Sequence, residues 1–515
     1  MDAVASPFST ISPLDGSPLD PVEETPLDAV AAIVAKARAA QVAWGQRPLS
    51  ERIEALWPLK DRILDRGPEM ARLLRKECGK PEGETWTAEV MPDADLVDYW
   101  VDKIEELLAP EEVPLDSLTY PGKTGKLVSV PRGVLALITP WNFPVAIPLR
   151  TIIPALLAGD AIVFKPSEYS PRSGAFVARL LEGLVPEGVF TLVQGGGAQG
   201  RALVDAAPDL VVFTGSVATG KKIALAAAAN LVPVSLELGG KDAAIVLADA
   251  DLERTARGIV WGAFTNAGQN CAAIERVYVE RKIADKFTQR VVELTKALRV
   301  GEDVSPLTTP AQLAIVERHL AAAREAGAKI LVGGERTGQG LGFQPTVLEV
   351  SGAAEKSPII LDETFGPVLP IVIVEGPDDA IARANDSRYG LTGSIWSKDV
   401  ERAEKLAMRL RTGVATVNNH AFTAALAAAP WTGVGESGFG VTNSKHALKE
   451  FTRPRFILVD RSRAKSELWW MPYTESLLKT AQALAILRSG SQGIVAKLKA
   501  VWQLITNAPK RLAGK

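Results

Sequence analysis

Residues 134–144 read Val-Leu-Ala-Leu-Ile-Thr-Pro-Trp-Asn-Phe-Pro. Five apolar residues followed by a proline-punctuated turn form the pattern of a buried strand ending at a loop. Outward from it, short and partly β-branched apolar runs recur at Ala161–Phe164, Val189–Val193, Leu210–Phe213 and Val232–Leu236. Helical segments such as Ala175–Gly183 and Lys221–Ala229 lie between them. Strand, helix, strand at this spacing predicts an α/β fold with a doubly wound parallel sheet. A second α/β series begins near Ala243–Leu247. It runs through a helix around Leu252–Thr265, a strand Arg276–Val279, helices Ala284–Leu298 and Ala311–Ala326, and strands Pro370–Val374 and Thr392–Trp396. Upstream, residues 27–44, 50–78 and 86–109 carry helical apolar spacing, and Leu118–Val130, centred on Pro-Gly-Lys-Thr-Gly, predicts a hairpin.

At 515 residues the chain exceeds one ordinary core, so two or three domains are expected. A hydrophobic content of 47% and a charged content of 23% are those of a soluble globular protein. A net charge of -2 carries no nucleic-acid signature. Two cysteines, Cys78 and Cys271, make no disulfide framework, and a reducing, cytoplasmic setting is the expectation. His319, His420 and His446 are scattered with no metal-ligand spacing, so neither a metal site nor a Ser-His-Asp arrangement is expected. The opening Met-Asp-Ala-Val-Ala-Ser-Pro lacks the basic and apolar regions of a secretory signal.

Chemistry concentrates in a few motifs. Gly268-Gln-Asn-Cys271 puts a cysteine in a polar turn, whereas a lone cysteine is more commonly a small buried hydrophobe. Glu237, in Leu236-Glu-Leu-Gly-Gly240, lies 34 positions upstream, flanked by leucines that can desolvate it and raise its pKa. A thiolate nucleophile and a carboxylate base are what attack on a carbonyl and hydrolysis of a thioester require. Asn142, in the Pro140–Pro144 turn, offers an amide donor to a developing oxyanion. Phe213-Thr-Gly-Ser-Val-Ala-Thr-Gly220 runs from a strand into a helix N-terminus that can face a pyrophosphate. Gly195–Gly200 is glycine-rich but reads equally as a loop, and Cys78 sits in a charged helix with no reactive context.

Together, Gly-Gln-Asn-Cys-Ala-Ala-Ile-Glu-Arg, Leu-Glu-Leu-Gly-Gly and Pro-Trp-Asn-Phe-Pro resemble the NAD(P)-dependent aldehyde dehydrogenase superfamily over roughly residues 5–460. The resemblance implies a Rossmann-type dinucleotide-binding domain (1–117 and 131–237), a catalytic α/β domain (238–429) and oligomerisation elements (118–130 and 430–460). It implies Cys271 as nucleophile, Glu237 as general base, and Asn142 with the Cys271 backbone N–H as oxyanion hole. A cofactor site follows from Trp141, Lys165, Glu168, Gly215, Ser216, Gly220, Glu363 and Phe365. Lys165 and Glu168 would contact the adenosine ribose, Glu363 the nicotinamide ribose, and Phe365 the nicotinamide ring. A carboxylate at Glu168 would repel a 2′-phosphate and so favours NAD over NADP. Glu237 favours a hydrolytic enzyme over one that acylates coenzyme A, and a homodimer or homotetramer is implied. Val217 departs from the threonine of many members. A catalytically silent binding protein on this fold is the alternative from another class, and joint retention of Cys271, Glu237 and Asn142 argues against it.

Two clues to the substrate conflict. Arg150, eight residues after Asn142, would face the substrate tunnel and could bind a substrate carboxylate or pair internally. Ala421–Trp431, at the expected tunnel mouth, is almost wholly apolar and suits a hydrophobic (fatty) aldehyde. The extension 461–515 holds ten Lys/Arg against Glu467 and Glu475. Ile494, Val495, Leu498, Val501, Trp502 and Ile505 share one helical face, and Leu477–Leu487 forms a second amphipathic run. Such a basic extension either packs on a neighbouring subunit or makes peripheral membrane contact.

Overall fold

The structure, a computed structural model, describes residues 7–117 and 119–513. The quoted apolar run forms the strand Val134–Ile138, buried at every position. It lies at the centre of a five-stranded, wholly parallel sheet ordered 190–192, 161–165, 134–138, 210–214, 234–237. Alternate side chains enter different cores, which is why the strands read as unbroken apolar runs. Leu135 and Leu137 join Leu149, Ile152 and Phe176, while Val134, Ala136 and Ile138 join Val30, Val34 and Ala37. The chain builds outward from 134–138 to 190–192, then returns to 210–214 on the other side. That reversal opens a crevice at the carboxyl ends of 134–138 and 210–214.

A second sheet has seven strands ordered 329–332, 346–349, 368–374, 274–280, 242–246, 392–396, 414–417. All its pairs are parallel except 329–332 with 346–349. The sequence reading places no strand at 329–332 or 414–417, both half-exposed edges whose apolar signal is diluted.

The expected helix over 50–78 is three helices, Leu49–Leu56, Leu59–Asp65 and Gly67–Cys78. Pro58 and Pro68 lack the N–H that would continue a helix, and each stands where a new helix starts. The apolar period persists across the breaks because Leu56, Leu59, Ile63, Met70 and Leu74 all face one core. The helix expected from 86 opens on a π-helical segment, Trp86–Val90, before Met91–Leu107. The hairpin expected at 118–130 pairs Glu111–Val113 with Lys123–Pro131, so its first strand lies upstream of the expected one. Residue 118 itself lies outside the described residues.

The chain divides into two compact units: residues up to 109 with 129–453, and 110–128 with 454 onward. Both large sheets belong to the first, as does helix Ser444–Phe451, which buries Ala447, Leu448 and Phe451. The second unit has 454–460, 123–128 and 111–113 as adjacent strand segments and two mutually packed helices, Glu475–Arg488 and Ile494–Leu512. Within it, Lys123 Nζ reaches Asp460 at 3.0 Å and Glu467 at 2.7 Å and lies 5.3 Å from the Trp469 ring centroid. Among the described residues, no helix is long and apolar enough to cross a membrane.

Candidate active site

Cys271 follows a tight turn that only a particular backbone allows. Asn266 (φ 48°), Ala267 (φ 55°) and Gly268 (φ 70°) are successively left-handed, and a Cβ on Gly268 would stand 2.2 Å from the Gly366 carbonyl oxygen. The turn leads into strand Ile274–Glu280 and leaves the thiol half-buried. Cys271 lines two cavities at once. One, of about 240 Å³, also holds Trp141, Asn142, Gly215, Ser216, Glu237, Glu363 and Phe365. The other, of about 600 Å³, holds Arg150 and the wall contributed by Ala421, Phe422, Ala424 and Ala425. Burial pushes the Cys271 thiol well up, Glu237 and Asp242 add to that, and Arg150 pulls it down.

Asn142 is buried, and its Nδ2 donates to the Gln269 carbonyl at 3.0 Å. Its Oδ1 has no partner among the described residues. The backbone beneath it is pinned: the Asn142 carbonyl accepts from Lys80 Nζ at 3.0 Å and from Asn266 Nδ2 at 2.9 Å. Lys80, fully buried, is ion-paired with Glu89, and Glu89 Oε2 accepts from the Val145 and Ala146 N–H groups at 3.0 and 3.1 Å. Glu89 thus caps the helix Ala146–Ala158 that carries Arg150. It comes from the π-helical segment, a kind of irregularity that concentrates at functional sites.

Glu237 ends the strand Val234–Glu237 and is buried. Burial raises its carboxyl to about 7. Hydrogen bonds from Trp431 and Cys271, and the Arg150 charge, pull the other way. Trp431 Nε1 donates to Oε1 at 3.1 Å. Glu363 accepts from the Gly240 N–H at 2.9 Å, and burial pushes it to about 8. A Cβ on Gly239 would stand 2.2 Å from Glu363 Oε2, so only glycine leaves room for that carboxylate. Glu275 holds the adjoining segment, accepting at 2.7 Å from each of the Thr364 and Phe365 N–H groups and pairing with Lys241. Phe365 is held there at φ 49°, edge-on to Trp141 with ring centroids 5.7 Å apart.

The crevice at the sheet's switch point has a volume of about 920 Å³ and shares Trp141, Gly215 and Ser216 with the smaller cavity. Lys165 and Glu168 line it, 3.7 Å apart, with Lys165 buried and its ammonium pKa lowered by that burial. Helices Gly197–Asp205 and Val217–Ala228 both begin at it. Where a Cβ would stand on Gly196 or Gly197 there is open space. Two helix N-termini over such a groove fit a dinucleotide pyrophosphate, so the residues present suit the cofactor. Gly220 lines neither cavity; a Cβ there would meet Leu238 at 2.6 Å, so it serves close helix packing.

The aldehyde dehydrogenase family model matches residues 2–457. The chain belongs to the aldehyde dehydrogenase family. It is accordingly an NAD(P)-dependent aldehyde dehydrogenase. It is 36% identical over 473 residues to a 4,4'-diapolycopene aldehyde oxidase of Methylomonas, covering 91% of this chain and 88% of that one. A Mycobacterium ulcerans protein named for succinate-semialdehyde dehydrogenase [NADP(+)] is 35% identical over 475 residues, covering 89% and 90%. Betaine aldehyde dehydrogenase of Staphylococcus aureus in complex with NAD+ superposes with a TM-score of 0.85 at 30% identity, covering 91% of this chain and 94% of that one. Residues 458–515 of the aldehyde dehydrogenase lie outside the family match.

Sequence reading missed Trp431, Lys80, Glu89 and Glu275, and did not decide between a cofactor segment and a loop at Gly195–Gly200, which opens a helix at the crevice. Only the last carried a readable signal, its glycines.

Proposed function

We propose a hydrolytic, non-acylating, NAD-dependent aldehyde dehydrogenase acting on a hydrophobic aldehyde. The observation that carries it is Cys271 at the junction of two cavities, with Glu237 and Asn142 on the cofactor side and, on the other, a chamber whose wall is mostly apolar although Glu84, Arg150, Arg257 and Asp303 also line it. Cys271 Sγ attacks the aldehyde carbon and its proton passes to Glu237, whose pKa of about 7 lets it accept and release a proton near neutrality. Asn142 Nδ2 has two N–H bonds and one acceptor, Gln269, which leaves one N–H for the hemithioacetal oxyanion beside the Cys271 backbone N–H. NAD, when bound, supplies the hydride acceptor. Glu237 then removes a proton from water as it attacks the thioester, and the carboxylic acid leaves with Cys271 regenerated.

Within this reading, the five-stranded sheet's domain (1–117 and 131–237) binds the dinucleotide, residues 238–429 form the catalytic domain, and 118–130 with 430–460 serve assembly into a homodimer or homotetramer. Glu168 at the crevice supports NAD over NADP. Two free cysteines support a cytoplasmic setting, and the extension 461–515 supports peripheral membrane contact.

A second reading rests on Arg150. Among the described residues it makes no hydrogen bond or ion pair, although it lines the 600 Å³ chamber. A free guanidinium there suits an aldehyde bearing a carboxylate. NADH formation across aldehydes of increasing chain length, with and without a terminal carboxylate, separates the two. Turnover rising with apolar length, and Arg150→Gln slowing charged and uncharged aldehydes alike, support the first. Selective loss of the carboxylated aldehydes in Arg150→Gln establishes the second. In either case Cys271→Ala abolishes NADH formation, and Glu237→Gln, lacking the base for both the thiol and the water, gives a slowed burst of NADH that then stalls at the acyl-enzyme. A Glu237→Gln enzyme that turns over steadily would remove Glu237 from the role.

A further inference from the structure

Helix Ile494–Leu512 has two apolar sides, and only one is covered. Its packed side centres on Ala500, fully buried, while the neighbouring helix buries Thr480 and Ala483. At about 100° per residue, Ile494, Val495, Leu498, Val501, Trp502 and Ile505 fall within one arc of about 120° on the side away from Ala500. Every one of them is exposed, Ile494 at 79%, Leu498 at 65% and Trp502 at 67%. By the same rotation Lys499 and Lys510 border the arc on one side and Lys497 on the other. None of these lysines forms an ion pair among the described residues. The extension's two acids are already engaged within the unit, Glu467 with Lys123 and Glu475 with Lys479. What remains is an apolar strip with an unopposed positive rim.

We propose that this face is a docking surface for an anionic phospholipid bilayer. The helix lies in the plane of the interface, its arc among the acyl chains, Trp502 at the headgroup boundary and the lysines on lipid phosphates. Its charges, and Pro509 within it, suit a helix that lies on a membrane rather than one that spans it. A protein partner would need matching apolar surface but no polyanionic plane, and lysines on both flanks favour the plane. The proposal rests on the reading of 461–515 as a membrane-contact element, and adds which face, in which orientation and toward which lipid charge.

The test is sedimentation of the full-length protein with vesicles of phosphatidylcholine alone or mixed with phosphatidylglycerol. Binding to the mixed vesicles is expected to be about tenfold stronger or more, and to weaken as salt is raised. The Leu498→Glu/Trp502→Glu variant, altered only at exposed positions, is expected to bind the mixed vesicles about tenfold less or weaker still. Its rate on a water-soluble aldehyde is expected to be unchanged, which certifies its fold. Lys497→Glu/Lys499→Glu is expected to lose binding through charge alone. Failure to sediment with either vesicle overturns the membrane reading and the face together. Equal binding to both vesicles, or binding that Leu498→Glu/Trp502→Glu leaves intact, overturns the face and lipid assignment alone. A smaller oligomer in that variant with vesicle binding retained assigns the arc to a second copy of the chain and overturns the proposal.

Discussion

Glu237 must hold a proton at one step and lack it at another, and its surroundings set that balance. Burial favours the neutral acid, while the Trp431 indole, donating at 3.1 Å, favours the carboxylate. Removing the donor therefore raises the pKa. A hydrogen bond to a charged group contributes about 1.5–3 kcal/mol, enough to move the pKa by about one unit. In Trp431→Phe, the pH profile of acyl release is expected to rise near pH 8 instead of about 7, with the rate at pH 7 down about fivefold and recovered by about pH 9. Stopped-flow and steady-state rates across pH check this; a uniform loss at every pH would mean Trp431 merely shapes the loop. At this scale the sequence was informative where chemistry depends on local context. Cys271, Glu237 and Asn142 each stand in a short turn or strand end whose neighbours are visible. Trp431 was not legible as a partner of Glu237, because 194 residues separate them and only the fold joins them.

Elements carry the same division. The strands 134–138, 161–165, 210–214 and 242–246 were readable because both faces are buried, which makes each an apolar run, whereas 346–349, also mostly buried but only four residues long with Thr and Glu at its ends, was not. The 50–78 segment was not divided correctly, since its apolar period continues across Pro58 and Pro68 and periodicity outweighed the breakers. Least legible was the support under Asn142, where Lys80 and Glu89 arrive from separate elements and meet with no solvent exposure. Breaking that pair leaves a buried charge alone. Lys80→Met is expected to lower unfolding free energy by about 3–5 kcal/mol in urea titrations. Lys80→Met/Glu89→Leu is expected to regain most of that stability. Turnover should nevertheless stay low in the double variant, because the Asn142 carbonyl has lost one of two donors and the helix Ala146–Ala158 its cap. Restored turnover along with restored stability would show that the pair serves folding alone.

For the molecule as a whole, the extension shows what patterning can and cannot tell. The apolar face of 494–505 was visible as spacing, but whether anything covers it is a property of packing, and the fold leaves it open. The active site has a comparable global consequence. Glu237, Asp242 and Glu363 are all kept dry, and burial raises them to about 7, 8 and 8. In the unfolded chain these groups titrate near the ordinary carboxylate range, so the native state holds protons that the unfolded state releases. Their contribution to stability is complete below about pH 4 and is lost as pH rises through about 7 to 8. His420 acts in the opposite direction: burial lowers it to about 3, so the unfolded chain gains a proton first as pH falls below the ordinary histidine range. Three carboxyls outweigh one histidine, so the net contribution of these groups to the stability of the cofactor-free protein should peak near about pH 4 to 5 and fall as pH rises toward about 8. Thermal scans are expected to give a Tm several degrees lower at about pH 8.5 than at about pH 6, and Glu363→Gln, which cannot ionise, should flatten that decline. A Tm that rises steadily over the same range would mean that the three carboxyls are already ionised at neutral pH, and that Glu237 has no proton to exchange where the enzyme works.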